Sequence, residues 1–94
     1  MRMSEIPWTL RQKRERLKRE VLANLDFVVG SVTSQGARGG FNLTTAQKGK
    51  TRTRYIRRGE LEEVRAMIER HRKLKELLKE LAEVNWEILK VKPR

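Results

Sequence analysis

Lys48, Lys50, Arg52 and Arg54 stand at every second position of one short run. In an extended strand, side chains two apart share a face. Lys50, Arg52 and Arg54 would then project together, about 6–7 Å between neighbours. That interval is close to the spacing of successive phosphates along a nucleic-acid strand, so the chemistry is ionic contact with a polyanion backbone. Thr51, Thr53 and Tyr55 take the opposite face. Arg57, Arg58 and the loop residue Arg38 extend the patch. Basic side chains also protect an edge strand against aggregation, but here no acidic residue balances them.

Other chemistry finds little support. Gly49-Lys50-Thr51 looks like the end of a phosphate-binding loop, but that motif needs glycine at position 44, where the chain has Thr44. It also needs a following helix, and Arg52 to Ile56 reads as a strand. The chain has no cysteine and one histidine, His71, which removes disulfides, thiolate metal sites and most acid–base constellations. No nucleophile with a positioned base can be assembled. Enzyme activity, a metal, a cofactor and a small-molecule substrate are therefore not expected.

The charge is unevenly placed. The 94 residues carry 23 Lys and Arg against 12 Asp and Glu, a formal +11. Residues 1–59 hold 14 basic and 4 acidic side chains, a net +10, and residues 60–94 are nearly balanced at +1. Between Phe27 and Gly59 there is no acidic residue. Such a segment acts as a positive field rather than an ordinary solvated surface. No run of 18 apolar residues exists, and the start lacks the apolar core of a secretory signal. The expected location is the cytoplasm, on the nucleoid if the ligand is DNA.

Four segments must position the basic row. Residues 1–8 read as a flexible tail and 9–26 as a basic helix, with Thr9 as N-cap of a Thr-x-x-Gln capping box. Its apolar stripe is Leu10, Leu17, Val21 and Leu25. Arg11, Arg14 and Lys18 lie on one side and are expected to flank the strand patch. Residues 28–57 read as a three-stranded antiparallel meander, with strands near 28–34, 41–45 and 50–57 and a tight turn at Gln47-Lys48-Gly49. One face must pack on helices, because so small a sheet is not stable alone. Residues 60–91 read as one long helix, free of Pro and Gly until Pro93. Its length of roughly 45 Å exceeds the diameter expected of a domain this small, so it calls for a partner.

That helix carries a heptad pattern. With Val64, His71, Leu78 and Asn85 at a, the d positions are Met67, Leu74, Leu81 and Ile88. Ile68, Ala82 and Leu89 on one side and Leu77, Val84 and Val91 on the other widen the seam to suit a bundle. The expected arrangement packs the first helix on the second in each chain and pairs two chains along the second. A helical hairpin within one chain is the alternative. Trp86 falls off the seam, for packing against a partner's first helix or for an exposed contact.

Gly30-Ser31-Val32, Gly49-Lys50-Thr51-Arg52-Thr53-Arg54-Tyr55-Ile56 and Leu61-Glu62-Glu63-Val64-Arg65 together resemble a family of short uncharacterised bacterial and archaeal proteins. The run Leu74-Lys75-Glu76-Leu77-Leu78 is similar to that family's last helix. The resemblance covers most of residues 10–90 and implies the same layout of helix, strands and helix. Where relatives place a cysteine cluster, this chain has Ser34 to Gly40. Arg57 stands where the family tends to have proline. The family brings no activity with it.

The sequence thus predicts an α+β protein, helix, meander and long helix, acting as a homodimeric nucleic-acid binder. Contact is with the backbone, and duplex DNA ranks ahead of RNA. The rival reading is a coiled-coil adaptor or assembly subunit in which the long helix is the functional surface and the positive charge is incidental.

Overall fold

A computed structural model describes residues 7–34 and 39–91. The chain is α+β: helix α1 (Trp8–Ala23), strands β1 (Ser31–Ser34), β2 (Phe41–Gln47) and β3 (Lys50–Ile56), a 3₁₀ turn (Arg58–Glu60), and helix α2 (Leu61–Lys90). It divides into two compact units. One holds Met1–Leu25 with Lys73–Arg94, and the other is Asp26–Arg72. No helix among the described residues is long and apolar enough to cross a membrane.

The helical unit is built from α1 and the second part of α2. Most of α1 is Leu, Arg, Lys, Gln and Glu, which lose little freedom in a helix. It begins one residue before the expected cap. Pro7 occupies the N-cap with extended ψ, and its carbonyl accepts the N–H groups of Leu10 and Arg11 at 3.1 Å. Thr9 therefore lies inside the first turn and caps nothing; the proline's fixed φ sets the start instead. The expected flexible tail falls mainly on residues 1–6, which lie outside the described residues, and Trp8 is already helical. At the other end, Asn24 Nδ2 donates to the Glu20 carbonyl at 2.7 Å, closing α1 before Leu25.

Leu17 is fully buried and packs with Leu77, Val84 and Ile88 of α2, with Leu10, Val21 and Leu81 partly buried around them. Burying each such side chain contributes about 1.5–3 kcal/mol. The stripe that α1 covers differs from the a and d seam drawn from the heptad. The buried stripe on α2 is Leu74, Leu77, Val84 and Ile88 with half-buried Leu81. These are the d positions and their g neighbours, not a and d. Leu78 and Asn85 are exposed. The helix is turned so that α1, a helix of the same chain, takes the richest stripe.

The sheet unit contains β1–β3 and residues 61–72 of α2. The sheet is antiparallel in the order β1-β2-β3. β1 starts at Ser31, later than expected. The N–H of Val28 points to the carbonyl of Met67 at 3.4 Å, so the preceding segment bonds to the helix. Phe27 stacks on His71, ring centroids 5.3 Å apart. Val64, Met67, Ile68 and His71 are all half-buried in this unit. Of the eight seam residues assigned to a partner chain, only Leu78 and Asn85 remain exposed. The length of α2 also has an internal explanation, since it contributes to two units.

Candidate nucleic-acid interface

The basic row is set by a hairpin with a two-residue turn. β2 and β3 pair from Phe41↔Ile56 through Gln47↔Lys50. Lys48 and Gly49, which join them, have φ of 52° and 76°. Two positive φ values mark a type I′ turn, whose twist matches that of the strands it joins. The alternation of β3 then places Lys50, Arg52, Arg54 and Ile56 on one face, with Phe41, Leu43 and Thr45 of β2 beside them. Thr51, Thr53 and Tyr55 share the other face with Asn42, Thr44 and Ala46.

The face that carries the cations is the one turned toward α2. Ile56 is buried, and the guanidinium of Arg65 lies 5.7 Å from the centre of the Phe41 ring. The row is nevertheless exposed from Lys50 to Arg54, because β3 is an edge strand. Its inner end is tied down. Arg54 Nη2 donates to Glu60 Oε2 at 3.3 Å, and Arg57 Nε sits 4.0 Å from Glu60 Oε1. Both pairs are exposed, and such pairs contribute about 0–1 kcal/mol, so a phosphate can compete with Glu60 for either guanidinium. Lys48 and Lys50 are exposed at the turn end, and Arg58 is exposed in the 3₁₀ turn. Arg38 lies outside the described residues.

The three cations expected on the first helix fare differently. Arg11 and Arg14 are half-buried, with their Nε atoms beneath the surface. They lie beside the core stripe in rotation, which accounts for their partial burial. Lys18 is exposed and pairs with Glu15 at 3.5 Å. The open side of α1 is elsewhere. Trp8, Gln12, Lys13, Arg16 and Arg19 are all exposed and line one shallow hollow together with Thr9. Their spacing of four, four and three residues from Trp8 through Gln12 and Arg16 to Arg19 was the available signal. It is easily missed, because a row that is mostly polar leaves no hydrophobic period.

Among the described residues, no group of His, Asp and Glu is placed to hold a metal ion. His71 is engaged with Phe27. No family model, curated protein or solved structure matches the chain. The chemistry of the site rests on its own residues.

Proposed function

We propose that the protein binds nucleic acid through the sugar–phosphate backbone, using the outer edge of the β2–β3 hairpin. The observation that carries this reading is the exposed row Lys50, Arg52 and Arg54 on one side of β3, continued by Lys48 at the turn. Two seven-residue strands joined by a tight turn make a ribbon roughly 23 Å long. A ribbon of this kind fits a groove of duplex DNA, with arginine and lysine reaching the flanking phosphates. Duplex DNA is the favoured ligand and RNA the second. The protein would act in the cytoplasm, on the nucleoid if DNA is bound.

Backbone binding releases counterions, so log K should fall linearly with log salt, with a slope near −0.9 for each phosphate engaged. The triple variant Lys50→Ala/Arg52→Ala/Arg54→Ala removes three exposed side chains and should keep its circular dichroism spectrum. Its affinity for a fluorescent duplex should drop at least tenfold at about 50 mM salt, and the slope should flatten by two to three. Unchanged affinity in the folded variant would move the site elsewhere. Failure of the parent protein to bind both a duplex and a structured RNA at that salt would end the reading.

A second reading, an assembly subunit acting through α2, is favoured by the exposure of Leu78, Trp86 and Leu89. It predicts partner binding that survives the triple variant.

A further inference from the structure

The outward side of α1 combines two features that backbone neutralisation alone does not need. The first is an excess of positive charge. Lys13, Arg16 and Arg19 are exposed there against one acidic side chain, Glu15, which lines the adjoining hollow with Trp8, Gln12 and Arg19. Glu15 is occupied with Lys18. The second is Trp8, 64% exposed at the first position of the helix. An indole left in water at the end of a cationic row is a stacking platform. Such a platform can take a nucleobase on its face while guanidiniums two to three turns away reach phosphates further along the strand. Gln12, between them, offers an amide for a base edge.

We propose that this side of α1 is a second nucleic-acid contact, which takes an unpaired base on Trp8 and phosphates further along the same strand on Arg16 and Arg19, about 12 and 16 Å away along the helix. The inference rests on the reading of the protein as a nucleic-acid binder and adds a preference that reading lacks. Paired bases inside a duplex have no free face for an indole, so the α1 contact selects single-stranded segments. Charge complementarity favours this occupant. A lipid surface needs an apolar stripe to insert. Leu10, Leu17 and Val21 of α1 face its own core, and among the described residues Trp8 and Leu22 are the only large apolar side chains exposed on α1, too few for such a stripe.

The test uses the intact protein. The sequence holds two tryptophans, so Trp86→Phe, a change at an exposed position, leaves Trp8 as the sole indole reporter. An oligothymidylate of about 12 nucleotides should quench its emission saturably. A duplex of equal length and inorganic polyphosphate should quench it far less, because neither offers a free base. Arg16→Gln/Arg19→Gln should weaken oligothymidylate binding about tenfold with an unchanged circular dichroism spectrum. Trp8→Ala should weaken it about tenfold and Trp8→Phe by no more than threefold or so, since a phenyl ring still stacks.

Equal quenching by duplex and single strand would overturn the proposal. So would unchanged affinity in Trp8→Ala, or a response to phosphatidylglycerol vesicles without one to the oligonucleotide. The failures separate cleanly. If the labelled duplex binds and Trp8 stays unquenched by single strand, only the α1 contact is lost. If no nucleic acid binds at about 50 mM salt, both readings fall together.

Discussion

Gly30 shows how much a single position fixes. A Cβ built there would lie 2.6 Å from the Thr44 carbonyl oxygen and 3.1 Å from Leu43 Cδ1. The first contact is with backbone held in the β1–β2 ladder, so it cannot swing aside as a side-chain tip would. Gly30→Ala should therefore cost about 1–3 kcal/mol, read as a lower urea midpoint. Gly59 provides the internal control, because a Cβ there meets nothing within 4 Å. Gly59→Ala should be neutral or stabilise by a few tenths of a kcal/mol through the unfolded chain. Equal losses at both sites would refute the packing argument. In the sequence, Gly30 reads only as a step before a β-branched run, since the atom it avoids is fourteen residues away. Thr9 errs for the opposite reason. Its pattern is local and correct for a cap, but Pro7 supplies the terminating geometry first.

Elements were legible where one periodic signal ran without competition. The register of the hairpin follows from alternation on both strands and a glycine at the turn, and it places the basic row on one face as expected. The limits of α2 follow from the absence of Pro and Gly across it. The face of α2 was less legible, because two apolar stripes overlap on that helix and only three-dimensional packing says which one α1 covers. The burial of Arg11 and Arg14 follows from the same choice. The hairpin also holds an unfavourable residue at its tip. Lys48 sits at φ 52°, a conformation that costs a side chain of this type about 1 kcal/mol and that Asn tolerates. Lys48→Asn creates the Asn-Gly pair most favoured in such turns. Stability should rise by about 0.5–1 kcal/mol while duplex affinity falls and the salt slope flattens by about 0.9. A gain in stability with no change in slope would mean that Lys48 makes no phosphate contact.

At the scale of the whole molecule, the uneven charge and the second stripe of α2 make opposite demands. Leu78, Ala82, Asn85 and Leu89 form an exposed line about a quarter turn from the core stripe, with Trp86 at its side. We propose that a second copy of the chain covers it, which moves the dimer contact off the residues that α1 already uses. Each copy brings a formal +11, and the repulsion between them is screened by salt. Self-association should therefore strengthen as salt rises, under the same conditions that weaken nucleic-acid binding. Light scattering across a salt series should show the mass moving from monomer toward dimer. Leu78→Lys/Leu89→Lys should hold the protein at monomer mass with little change in thermal midpoint, since both side chains are already exposed. Asn85→Leu should shift the transition to lower salt by removing a polar group from the contact. A bound polyanion would replace salt as the source of screening, so dimerisation on DNA should be detectable at low salt where the free protein is monomeric. Monomer mass at every salt concentration, with and without DNA, would leave α2 as a helix whose length serves only the two units of its own chain.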